Sequence, residues 1–187
     1  MNALISVCLG IGLSTSTGFR ILVPFACLSA ASLYGNFDLP AEMAWLNSYP
    51  ALIGLVIGTL IEVAAYYIPW VNDALDTVEL PASVIAGTYL TGAFAADLPS
   101  LLQWSLALVA GGGIAGSING LTGVTRLATN SATGGAATPV TSSLEWMSAL
   151  VLAILAITLP LLALVISIVV LWVAVKKLRK RRRKAMH

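Results

Sequence analysis

Apolar stretches long enough to cross about 30 Å of hydrocarbon recur along the whole of this chain. No other feature constrains its fold as much, because an unbroken segment of about 20 apolar residues reads as a membrane-crossing helix. Composition points the same way: 58% of the residues are hydrophobic, 10% are charged and the mean hydropathy is +0.92, which excludes a water-soluble globule. The 187 residues leave no room for a separate soluble domain beside the spans. The expected fold is all-α: a polytopic transmembrane helix bundle of about five spans with broken, glycine-rich helices.

Charge is distributed unevenly. Eight of the ten basic residues lie in residues 176–184 (KKLRKRRRK), so Arg20 and Arg126 are the only basic residues of a body that holds all eight acidic ones. A basic cluster directly after an apolar helix stays in the cytoplasm, which puts the C-terminus there. Near the bilayer surface each such residue attracts anionic lipid headgroups by about 1 kcal/mol. No base-reading module accompanies the cluster, so nucleic acid is not an expected partner. The cysteines, Cys8 and Cys27, have no histidine near them, and the one histidine is His187. Metal sites, cofactors and histidine-based catalysis lack raw material, and the chain is not read as an enzyme.

The first apolar run, residues 3–33, lacks the basic flank of a signal peptide and is expected to be one retained span. It is kinked where Ser14, Thr15, Ser16, Thr17, Gly18 and Arg20 fall at mid-membrane depth, with Pro24 a turn later. A second span is expected over residues 50–68. Asp73, Asp76 and Glu79 then mark a loop before a short third segment, residues 81–96, and Asp97-Leu98-Pro99 makes a tight connection. The fourth segment, residues 101–126, carries Gly111, Gly112, Gly113, Gly116 and Gly120, which predicts close packing or unwinding. A polar stretch, residues 129–143, precedes a last apolar run, residues 144–175, expected as one long helix kinked near Pro160 and projecting into the cytoplasm. With the tail inside, about five spans put the N-terminus and the acidic 73–79 loop outside and residues 38–42 in the cytoplasm.

Internal similarity organises these segments. TSTGFRILVPFACLSAAS around Arg20 and LTGVTRLATNSATGGAAT around Arg126 share an order of hydroxyl and glycine residues, arginine, then small residues, and a loop and an apolar helix follow each. This weak repeat, inverted when five spans are counted, divides a single transmembrane domain of residues 1–175 into repeat A (about 3–69), a linking span (81–97) and repeat B (about 101–175). Residues 176–187 form the cytoplasmic polybasic tail.

The runs IEVAAYYIPWVNDALDTVELPASVIAGT (residues 61–88) and TRLATNSATGGAATPVTSSLEWMSALVLAILA (residues 125–156), together with GLSTSTGFRILVPF, resemble the signature blocks of the DUF4126 family of bacterial integral membrane proteins. The Glu62-x5-Ile68-Pro69 and Thr-Gly-Gly…Pro…Ser…Glu elements carry the likeness. The resemblance implies a compact fold in a bacterial inner membrane and supplies no substrate.

Three constellations are candidates for function. Arg20 and Arg126 each sit among Ser, Thr and Gly; a buried arginine needs water, a carboxylate or an anion, and unwound glycine segments add backbone N–H donors. The alternative is that each arginine snorkels or pairs with a loop carboxylate. Glu62 follows Gly54 and Gly58 on a stripe that continues to Tyr66, and is read either as a titrating transport group or as the partner of a buried arginine. In the 129–143 stretch, Ser142 or Ser143 and Glu145 fit a cap on the last helix, the alternative being a polar loop that lines a pore.

These readings combine into a transporter or channel for a small solute, by preference a small anion, with Ser14, Thr15, Ser16, Thr17, Arg20, Glu62, Thr122, Arg126 and Thr133 as the candidate binding residues. The competing class is a non-transporting membrane organiser that forms homo-oligomers through glycine-rich helix faces and holds anionic lipid through its tail.

Overall fold

A computed structural model describes residues 2–65 and 67–185, with the side chains of all of these except positions 69, 70, 72–74, 76, 174, 175 and 177–185. Among them every regular element is helical: α1 (Ala3–Thr17), α2 (Leu22–Tyr34), a 3-10 segment (Ala41–Leu46), α3 (Tyr49–Ala65), α4 (Pro69–Phe94), α5 (Ser100–Leu106), a π-helical turn (Ala107–Gly112), α6 (Gly113–Thr133), α7 (Thr138–Thr158) and α8 (Pro160–Ala185). Among the described residues two helices are long and apolar enough to cross a membrane, the continuous Ser100–Thr133 and Thr138–Thr158; four shorter apolar helices are Ala3–Thr17, Leu22–Tyr34, Tyr49–Ala65 and Pro160–Val173. This pattern fits a membrane protein.

The first apolar run is a hairpin and not one kinked span. Gly10 of α1 packs against Thr91 and Phe94 of α4, Ser14 reaches Gly87 and Thr91, and Arg20 reaches Glu79, so α1 runs antiparallel to α4. The chain then returns along the same helix, with Phe25 stacked on Tyr89 and Phe37 against Phe94, at ring-centroid separations of 6.4 and 6.3 Å. The reversal occupies residues 18–21. There a Cβ on Gly18 would stand 2.8 Å from the Ala115 carbonyl oxygen and from Ile118 Cβ, so only glycine lets the turn seat against α6.

This hairpin changes the expected topology. Residues 38–42 share one end of the bundle with Ser6 and Asp97, around a cavity of about 320 Å³, instead of lying opposite the N-terminus. The last apolar run also folds back. Gly12 faces both Ala156 and Ala163, Ser16 donates to the Ala149 carbonyl and Thr15 meets Ser167, which sets α7 and α8 side by side along α1. Leu159, with φ −135° and ψ 69°, is the break, and Pro160 cannot continue the α7 hydrogen-bond pattern. The 73–79 acidic segment is helical, not a loop, because α4 runs straight through Pro81. The 129–143 stretch is mostly helix too: α6 ends at Gly134, held at φ +60° with its N–H on the Asn130 carbonyl, and α7 begins at Thr138 with Pro139 in its first turn.

α1 is the centre of the bundle, with Ser6 and every residue from Cys8 to Thr17 buried, whereas α3 has no buried residue at all. Large buried side chains at Leu9, Leu13, Leu28, Met43, Leu46 and Leu90 pack the core. The glycine density of the fourth segment has a concrete use: the added Cβ of an alanine at 111 would collide with the Gly87 carbonyl oxygen and with Thr91, so the π-helical turn and α4 touch backbone to backbone.

Candidate functional site

A buried arginine draws carboxylates to itself, because leaving the charge alone in a low dielectric is far costlier than pairing it. Four elements meet at the tip of the α1–α2 hairpin and deliver two of each sign. Arg20 comes from the non-helical link, Glu79 from α4, Arg126 from α6 and Glu145 from α7. Arg20 Nη2 lies 3.0 Å from Glu145 Oε2 and Nη1 lies 3.8 Å from Glu79 Oε1. Arg126 Nη2 lies 3.0 Å from Glu79 Oε2 and Nη1 lies 3.4 Å from Glu145 Oε2. Each arginine thus faces both carboxylates, and the ring is neutral. Exposure of the four residues is 0% for Arg20, 1% for Arg126, 5% for Glu79 and 7% for Glu145, so the ring is buried.

Glu62 holds the start of α2. Its carboxylate accepts the backbone N–H of Ile21 at 3.0 Å and of Leu22 at 3.2 Å, at the start of α2, where no side chain of α2 supplies a cap. A carboxylate there satisfies otherwise orphaned donors and meets the positive end of the helix dipole. It thereby fixes the link that carries Arg20. Tyr66, the last member of its expected stripe, lies outside the described residues. Glu62 and Glu79 also share a cavity of about 420 Å³ between α3 and α4, otherwise walled by Ile21, Leu22, Leu75 and Val78 among other apolar groups.

The remaining candidates separate. Ser14, Thr15, Ser16 and Thr17 are all buried beside the ring, with hydroxyls bonded into the bundle: Ser14 at 2.7 Å from the Gly87 carbonyl and 2.9 Å from Thr91 Oγ1, Thr15 at 2.7 Å from Ser167, Ser16 at 2.7 Å from the Ala149 carbonyl and Thr17 at 2.9 Å from Leu13. Thr122 donates to the Asn119 carbonyl on the ring-facing side of α6. Thr133 is exposed, one turn beyond Thr129, whose carbonyl it takes.

The family model for a domain of unknown function, DUF4126, matches residues 7–180. The chain belongs to the DUF4126 family. No curated protein and no solved structure matches it. In this DUF4126 protein the sequence reading missed Glu79 and Glu145 as members of the site. The available signal was arithmetic: two arginines in apolar segments call for two acids in apolar segments, and Glu145 stands four residues before the aliphatic run that begins at Ala149. Asn119 was missed as well. It is 3% exposed, its side-chain nitrogen has no hydrogen-bond partner among the described residues, and the spacing 119, 122, 126 aligns it with Thr122 and Arg126 on one face of α6.

Proposed function

We propose that this protein is an integral membrane transporter for a small anion, with Arg20 and Arg126 as the binding groups. The observation that carries the reading is the buried ring itself. Apolar residues of similar volume stabilise a core as well as a buried ion network does, and ionisable groups inside membrane bundles mark solute and proton paths. An arriving anion takes the place of a carboxylate on a guanidinium fork, while Asn119 and Thr122 extend the polar face of α6. The ring is the occluded position of that path, and the cavity that ends on Glu79 is its approach.

The topology that goes with this reading has α3, α4, the Ser100–Thr133 helix, α7 and α8 as five crossings, with α1–α2 re-entrant and Arg20 at its tip. The apolar side chains of α3 and α8 that point outward, such as Ile57, Leu60, Val165 and Ile168, are then covered by lipid. The basic tail sits on the cytoplasmic leaflet among anionic headgroups. The organiser reading has one observation in its favour: open space in front of Gly54 on a helix with no buried residue, a surface that a second copy covers as well as lipid does.

The test is anion efflux from liposomes holding the purified protein and loaded in turn with chloride, nitrate or phosphate. Arg20→Lys and Arg126→Lys keep the charge but replace a bidentate fork by a point charge, and are expected to slow efflux by about tenfold or more. Arg181→Gln in the tail leaves it unchanged. Efflux equal to that of protein-free vesicles for every anion overturns the transporter reading and favours the organiser.

A further inference from the structure

We infer that the anion crosses together with one proton carried on Glu79, an inference that rests on the transporter reading above. Charge conservation in the ring drives it. Two arginines and two glutamates sum to zero, and the four side chains are at most 9% exposed. An anion entering alone leaves one uncompensated negative charge in a low-dielectric site, which is strongly unfavourable. An anion entering with a proton keeps the sum at zero. The proton forms an O–H bond on a carboxylate, that carboxylate gives up its ion pair, and the released guanidinium takes the anion in its place.

Geometry selects the carboxylate. Glu145 is held by Arg20 at 3.0 Å and Arg126 at 3.4 Å, both on Oε2. Glu79 lies 3.0 Å from Arg126 and 3.8 Å from Arg20, and among the ring residues it is the one that lines the cavity of about 420 Å³, which gives a proton a way to reach it. Protonating Glu79 therefore frees Arg126 Nη2 while Arg126 Nη1 keeps its 3.4 Å contact with Glu145 and the 3.0 Å Arg20–Glu145 pair stays closed. Among the described residues the ionisable groups facing Glu79 are Arg20 from the link after α1, Arg126 from α6, Glu145 from α7 and Glu62 across the cavity from α3; α5 has no ionisable residue. Glu62 accepts the Ile21 and Leu22 N–H groups, so its part is to hold the hairpin tip.

The experiment uses the full-length protein in liposomes that contain a pH-sensitive dye and potassium chloride or potassium nitrate, diluted into potassium gluconate with the potassium concentration equal on both sides. Coupled movement gives anion efflux without valinomycin and a rise of internal pH, at about one proton per anion, the ratio set by the neutral ring. Glu79→Gln loses both signals, and Glu42→Gln, on the exposed 3-10 segment, keeps them. Anion efflux that requires valinomycin and leaves internal pH unchanged overturns the coupling while the transporter reading stands. Absence of anion efflux under every condition overturns both. The wild-type measurement decides the matter even if Glu79→Gln does not fold.

Discussion

Residues 14–17 (STST) and 129–143 (TNSATGGAATPVTSS) are both rich in hydroxyls and lie in opposite circumstances. The first four are fully buried, and Ser14, Thr15 and Ser16 reach α4, α8 and α7. In the second, Ser131 and Thr133 are exposed and turn their hydroxyls back onto the carbonyls of Leu127 and Thr129 in their own helix, while the buried Thr138 bonds Asn130 Oδ1 across the α6–α7 turn and Ser143 meets the Tyr67 hydroxyl. A hydroxyl that bonds its own helix is locally satisfied and says nothing about neighbours. One that bonds another helix welds two elements, and losing it strands a buried partner. Ser14, Thr15 and Ser16 thus weld the central helix to three others, while Ser131 and Thr133 only finish the end of α6.

Three substitutions sharpen this contrast, each read as a change in unfolding free energy in detergent. The largest loss is expected for Gly111→Ala, whose Cβ meets the Gly87 carbonyl and Thr91 on the same interface that Ser14 joins; forcing α4 and the π-helical turn apart costs about 3 kcal/mol, the upper part of the usual overpacking range. Ser14→Ala follows at about 1–3 kcal/mol, because the Gly87 carbonyl and Thr91 hydroxyl lose a buried partner. Thr133→Ala stays within about 0.5 kcal/mol, as exposed substitutions do. The contrast breaks if Thr133→Ala costs as much as Ser14→Ala.

Much of the fold was legible where a rule acts locally. The all-helical class follows from uninterrupted apolar runs, and the Gly111–Gly112 approach to α4 from glycine density. The hairpins were not legible, because what decides between a kink and a reversal is tertiary: the Gly18 face against α6, and Glu62 holding the Ile21 and Leu22 N–H groups from forty residues away. Glu79 was misplaced for a similar reason. Asp73, Asp76 and Pro81 around it carry loop chemistry, and only the two arginines brought from distant segments make a buried helical glutamate favourable there. The matched arginine segments also differ locally, since Arg20 lies in a link and Arg126 inside α6, yet the two side chains meet in one ring.

The central claim, that the ring binds a moving anion and is not merely a structural clasp, is tested most directly by the double variant Glu79→Gln/Arg126→Gln. Replacing one member of a buried pair typically costs about 3–5 kcal/mol, whereas removing both keeps the charge balanced and leaves the 3.0 Å Arg20–Glu145 pair intact. The double variant is therefore expected to unfold within about 1 kcal/mol of the wild type, well short of the single-variant loss. Its anion efflux from liposomes is expected to fall to the level of protein-free vesicles, because one of the two guanidinium forks is gone. An equally stable double variant that moves chloride or nitrate at the wild-type rate contradicts the account.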